Sequence, residues 1–202
     1  EQLSLKHEAL KLSAGSGRAL CNAVELDQME TFTTLLTAGR SADERDDEGR
    51  TPLMLAAKHG RLEMARTLLE AGATVDARDA HHRTAFQYAF DWKPNVEMVR
   101  LLADANANFD VLVGEDQSPL RCAVQHGCTA VVQLLLERGT DADRSAECSE
   151  WYAPSTCPGG LMWEHDLMIA VKKNNAAIVQ LLVERKAGVN RPLISSGYTA
   201  LH

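Results

Sequence analysis

The residues with the greatest chemical reach in this chain are its cysteines and histidines. Two clusters stand out by spacing. Cys148 and Cys157 precede His165, and Cys122, His126 and Cys128 fall within one short segment. Tight zinc sites draw on cysteine pairs only two to four residues apart. Neither cluster contains such a pair, so no metal is assigned. A cysteine within a helical pattern, as at Cys122, commonly behaves as a small apolar residue. Nucleophilic chemistry requires a thiol or hydroxyl beside a base. Cys157 with His165 is the one pair worth that reading, and the sequence lacks a nucleophile elbow, a glycine-rich phosphate loop or an H-E-x-x-H motif. The expectation is a chain with no catalytic residues, no cofactor and no metal. An enzyme or small-molecule binder using a pocket beside residues 144–164 is the alternative.

Charge and composition narrow the class further. The 28 acidic and 21 basic residues leave a net charge of −7. Such a surface repels phosphate backbones, so nucleic acid is not the expected partner. Five cysteines, an odd number in 202 residues, do not form a disulfide framework. Nothing approaches the roughly 18–20 consecutive apolar residues that span a bilayer, and no signal-peptide pattern opens the chain. We therefore expect an intracellular protein, cytoplasmic or nuclear. Hydrophobic residues make up 45% of the chain, enough for a continuous core.

The elements that position these residues come from an internal repeat. Thr51-Pro52-Leu53-Met54-Leu55-Ala56-Ala57 opens the clearest copy. Thr84-Ala85-Phe86 follows 33 residues later, and Ser118-Pro119-Leu120 comes 34 after that. His165-Asp166-Leu167 lies 47 further on, and Thr199-Ala200-Leu201-His202 another 34. Arg18-Ala19-Leu20 stands 33 before Thr51. A small residue recurs at Ala23, Ala56, Ala89, Ala123 and Ala170, and a leucine at Leu35, Leu68, Leu102, Leu135 and Leu182. Four residues past the leucine stand Gly39, Gly72, Asn106, Gly139 and Lys186. A helix ending in a left-handed residue prefers Gly, then Asn, so Lys186 fits poorly. Asp43, Asp76, Asp110, Asp143 and Asn190 come four residues later, where Asp and Asn stabilise turns.

Each unit reads as a turn, a short helix capped by Ser or Thr, a tight turn, a second helix and an extended loop. One unit cannot bury its apolar face alone, so neighbours must stack. This pattern resembles the ankyrin repeat, whose signature T-P-L-H-x-A returns every 33 residues. Thr51 to Ala56 departs from it only in Met54. The resemblance implies an all-α solenoid of about five helix-turn-helix repeats over residues 17–202, starting near 18, 51, 84, 118 and 165, with a truncated copy at 199. Residues 1–16 are expected to form a capping helix and linker. Additional repeats or a further domain are expected beyond His202.

Departures from the repeat direct attention to function. The turn at Asp91-Trp92-Lys93-Pro94-Asn95 has one extra residue and a tryptophan. Residues 144–164 are a long insertion holding Trp151, Tyr152 and Trp163. The first loop tip, Asp43-Glu44-Arg45-Asp46-Asp47-Glu48, is strongly acidic. The second, Arg78-Asp79-Ala80-His81-His82-Arg83, is polar and mildly basic, and the third carries Val111-Leu112-Val113.

The resemblance implies that loop tips and the exposed side of each first helix line a concave groove. Asn22, Leu55, Tyr88, Cys122 and Ile169 then stand four residues past each start. Glu25, Lys58, Asp91, Gln125 and Lys172 stand seven past. The expected function is protein–protein interaction, as part of a scaffold, adaptor or effector, with a partner protein or peptide carrying basic and hydrophobic anchors. The candidate contacts are Asp46, Asp47, Glu48, Leu55, Lys58, His81, Tyr88, Asp91, Trp92, Leu112, Gln125, Trp151, Tyr152 and Trp163, with Tyr88, Trp92 and Trp151 as aromatic anchors.

Overall fold

The computed structural model of the protein describes residues 18–90, 94–111, 113, 118–140 and 166–185. The expected capping helix, the insertion at 144–164 and the repeat opening at 199 lie outside them. The described residues are helical without strands, and they fall into two compact units, Glu1–Asn108 and Phe109–His202.

The first unit contains three helix pairs: α1 (Ala19–Glu25) with α2 (Met29–Thr37), α3 (Pro52–His59) with α4 (Leu62–Glu70), and α5 (Ala85–Tyr88) with α6 (Val96–Asp104). Helix α3 packs against α1 on one side and α5 on the other, and α4 meets α6. The second unit repeats the arrangement with α7 (Pro119–Gln125), α8 (Thr129–Glu137), α9 (Asp166–Lys172) and α10 (Ala176–Glu184). There α7 packs on α9 and α8 on α10.

Local chemistry explains the boundaries. The Thr51 hydroxyl accepts the Met54 amide, Thr84 accepts that of Gln87, and Ser118 that of Arg121. Pro52 and Pro119 occupy the first turn, where their missing N–H is not needed. Helices α2, α4, α6 and α8 end where the repeat pattern predicts, and Lys186 lies outside the described residues. Gly39, Gly72, Asn106 and Gly139 all have φ between 59° and 86°. The next amide in each case bonds back to the repeat leucine: Arg40 to Leu35, Ala73 to Leu68, Ala107 to Leu102 and Thr140 to Leu135. This satisfies carbonyls that a helix end otherwise orphans.

The recurring alanine has a comparable role between helices. The carbonyls of Ala23, Ala56, Ala123 and Ala170 accept the amides of Gln28, Arg61, Cys128 and Asn175, five residues on. The Ala89 carbonyl accepts Asn95, six residues on, which accommodates the extra residue of that turn. Inside, Leu68, Leu102, Leu135 and Leu182 are fully buried and Leu35 nearly so. Each such leucine contributes about 1.5–3 kcal/mol by leaving water.

Candidate functional site

The first unit presents two described loop tips built on one plan. In the first, Asp46 Oδ1 accepts the amides of Glu48 (3.0 Å) and Arg50 (2.8 Å), and Oδ2 accepts Arg50 Nε at 2.6 Å. Gly49 turns the chain at φ +74°, and a β-carbon there would lie 3.1 Å from the Ala80 amide. In the second, 33 residues on, Asp79 Oδ1 accepts the amides of His81 and Arg83, both at 2.8 Å. The tips are also joined to each other. Arg45 Nη1 donates to the carbonyls of Gly49 and Arg78, both at 2.7 Å, and the Ala80 amide donates to the Glu48 carbonyl at 3.0 Å. Asp43 accepts the amide and hydroxyl of Thr74 in the following loop.

Electrostatics follow from this wiring. Burial alone would raise the Asp79 carboxyl. Bonds from Tyr88 and from the Arg83 and His81 amides, with the Arg83 charge, outweigh it and hold the group below its ordinary value. Tyr88 is pushed the other way, by burial first and then by its bond to Asp79. Burial would likewise lower Arg50, yet its bond and charge pairing with Asp46, then Glu48 and Glu25, raise it. Burial, followed by the charge on Lys58, lowers His59.

The acidic tip is therefore only partly a solvated surface. Glu44 is inward: Oε1 accepts the Ala19 amide at 2.7 Å and Oε2 that of Leu20 at 3.3 Å, closing the start of α1. Asp46 is consumed by its own turn. Asp47 and Glu48 remain outward, and they pair with Arg18 and Arg50 respectively.

Other candidate contacts divide sharply. Lys58 and His81 are exposed, as are Glu25 and Lys172, and Gln125 is half-buried. The expectation that positions four past each start face outward is corrected at four of the five, while Asn22 is half-buried. Leu55 is 0% exposed and Tyr88 2%, while Cys122 and Ile169 are also buried. A first helix flanked on both sides, as α3 is by α1 and α5, turns that position into the seam between helices. Leu55 and Tyr88 are thus core residues, not free anchors. Val113 of the third tip is likewise buried. Asp91, Trp92, Leu112, Trp151, Tyr152 and Trp163 lie outside the described residues.

The cysteine cluster takes a structural form. Cys122 Sγ stands 3.6 Å from His126 Nδ1, which is itself 2.9 Å from the Cys122 carbonyl oxygen. Burial, with a smaller contribution from Cys128, pushes the Cys122 thiol up to about 11, so it is not a ready nucleophile. Among the described residues, no group of three His, Cys, Asp or Glu side chains is placed to hold a metal ion. None of the described helices is long and apolar enough to cross a membrane.

Both units are built from helix-turn-helix pairs, and the described loop tips of the first unit are hydrogen-bonded to themselves and to each other. A family profile described as ankyrin repeats in three copies matches residues 20–113 and 80–146, and this chain belongs to the ankyrin-repeat family. The ankyrin repeat protein nuc-2 of Neurospora crassa is 35% identical over 112 residues, covering 55% of this chain and 10% of that protein. The chain thus spans about a tenth of that relative's length. Ankyrin repeats are in general protein–protein interaction modules and typically non-enzymatic.

Proposed function

We propose that this chain holds a partner protein or peptide against the loop tips and exposed first-helix ends of its first unit. The observation that carries the reading is the internal saturation of the tips. Asp46 and Asp79 bind their own turns, Arg45 bridges one tip to the next, and the Glu48 carbonyl takes the Ala80 amide. A surface ordered before contact loses little conformational entropy on binding. The side chains it turns outward, Asp47, Glu48, Lys58 and His81, are exposed to a partner. The acidic side chains, joined by Glu25, suit a segment carrying basic groups, mainly through steering and specificity. In the second unit Gln125 occupies the corresponding first-helix end. Asp91, Trp92, Leu112, Trp151, Tyr152 and Trp163 are proposed contacts on their sequence positions.

The test places a photo-crosslinking residue at position 81 and, separately, at Arg66 on the exposed side of α4. Cross-linked proteins from native lysate are then identified by mass spectrometry. A species captured at 81, absent at 66 and lost in Asp47→Lys/Glu48→Lys with folding retained, is the expected result. Equal capture at both positions, or capture indifferent to charge reversal, would count against the tips.

A further inference from the structure

The two tips share a plan but settle it differently at one atom. In the first, the second oxygen of the aspartate is closed by the local arginine, Arg50 Nε to Asp46 Oδ2 at 2.6 Å. In the second, the equivalent arginine has withdrawn, leaving Arg83 Nε 3.5 Å from Asp79 Oδ2. Tyr88 occupies the vacated position, its hydroxyl donating to Asp79 Oδ2 at 2.7 Å. The same hydroxyl accepts Arg83 Nη2, and the guanidinium carbon lies 4.2 Å from the centre of the Tyr88 ring. A cation held over an aromatic face gains from the ring quadrupole. The residue matching Tyr88 one repeat earlier is Leu55, which has no polar atom to offer.

A second difference sits at the turn. The first tip uses Gly49 at φ +74°, whereas the second has His82 at φ +61°. A side chain in the left-handed region carries a steric cost that glycine avoids. Such a conformation persists only when its surroundings over-determine it. The tip with the strained residue is also the tip with the additional buried bond.

We propose that Tyr88 is the positioning residue of the second loop tip: by closing Asp79 Oδ2 and redirecting Arg83, it holds residues 79–83 in the shape that turns His81 and His82 to solvent. Its 2% exposure gives the bond little competition from water. The shape of an exposed recognition loop is thereby set from inside the first helix. The consequence for recognition rests on the reading that the tips meet the partner. The latch itself does not.

The experiment uses the full chain and amide hydrogen exchange resolved by NMR. The reporters are the His81 and Arg83 amides, with Glu48 and Arg50 as references on the first tip. Tyr88→Phe keeps the ring and removes the hydroxyl. It is expected to speed exchange at His81 and Arg83 about tenfold while Glu48 and Arg50 change less than about twofold. His82→Gly, at an exposed position, tests the same idea without touching the core. It should slow exchange at His81 and Arg83, and added to Tyr88→Phe it should recover part of the loss. A folded Tyr88→Phe chain with both amides within about twofold of the original, or a His82→Gly chain with no slowing, would overturn the latch. Cross-linking from position 81 separates the two readings. Faster exchange with weakened capture supports both, and faster exchange with unchanged capture upholds the latch while counting against the tip as the contact.

Discussion

Replacing Glu44 by alanine tests whether the first tip is a solvated charge cluster or part of the fold. Helix α1 has only seven residues, and Arg18 at its N-cap provides no side-chain capping bond. The Glu44 carboxylate performs that role from 25 residues away, reaching the Ala19 and Leu20 amides with a side chain only 6% exposed. Loss of a capping acceptor costs about 1 kcal/mol. Removing a negative charge from a helix start adds about 0.5 kcal/mol. Two amide donors left short of a partner in a part-buried site add about 1 kcal/mol. The expected destabilisation is therefore about 2.5 kcal/mol. With a urea slope of about 2 kcal/mol per molar, the midpoint falls by about 1 M. Glu44→Gln retains one acceptor and should fall by about half as much. Asp47→Ala, at a side chain 81% exposed, is the comparison and should stay within about 0.5 kcal/mol. The assay is urea unfolding followed by far-ultraviolet circular dichroism. A Glu44→Ala midpoint indistinguishable from that of Asp47→Ala would refute the capping argument.

Three further outcomes are expected. In the second unit, Arg121 Nε and Asp166 Oδ1 meet at 2.9 Å with side chains 11% and 3% exposed. Asp166→Ala removes a partner of a buried cation and should cost about 3 kcal/mol in urea unfolding, whereas Arg121→Leu/Asp166→Leu should cost clearly less. A single variant no worse than the double would contradict this. Asp79 binds its proton less readily in the folded chain than unfolded. Its contribution is complete above about pH 4 and lost as pH falls through the lowered native value. Asp79→Asn should flatten that acid limb of the thermal midpoint against pH, and an unchanged limb would show that the carboxylate is not linked to folding. Among Cys21, Cys122 and Cys128, thiol alkylation at pH 8 should reach half-buried Cys128 first, read by peptide mass. Cys21 should resist, since burial and then the charges of Asp46, Glu44 and Glu25 push its thiol up to about 12.

Much of the fold was legible because its determinants are local. A hydroxyl three residues ahead of an amide, a glycine where φ is positive and a leucine beneath it all recur at fixed spacing. The structure realises each at the expected position. Glu25, Lys58 and Lys172, which the family resemblance placed at first-helix ends, are exposed. Leu55 and Tyr88, which the family resemblance placed on the exposed side, are buried because a resemblance carries over a position without saying how many neighbours cover it. Glu44 was missed for a related reason: its partners lie 24 and 25 residues away, and charge alone reads as solvation. One available clue was passed over. Tyr88 stands where the preceding repeat has Leu55, nine residues after Asp79 of the second tip.

That substitution bears on how one scaffold varies its contacts. At the first tip a side chain in place of Gly49 would meet both a left-handed backbone and the Ala80 amide at 3.1 Å, so the turn stays with glycine. The second tip carries His82 in a similar conformation, and its aspartate has gained a tyrosine bond that the first tip lacks. Extra chemistry at the surface is thus matched by extra constraint in the core. The outward residues Asp47, Glu48 and His81 carry no such requirement, because the backbone beneath them is held by Asp46, Asp79 and Arg45. Exposed substitutions of this kind usually move stability by less than about 0.5 kcal/mol. Residues at those positions can therefore change while the fold stays constant, whereas a change at residue 82 must answer to Tyr88.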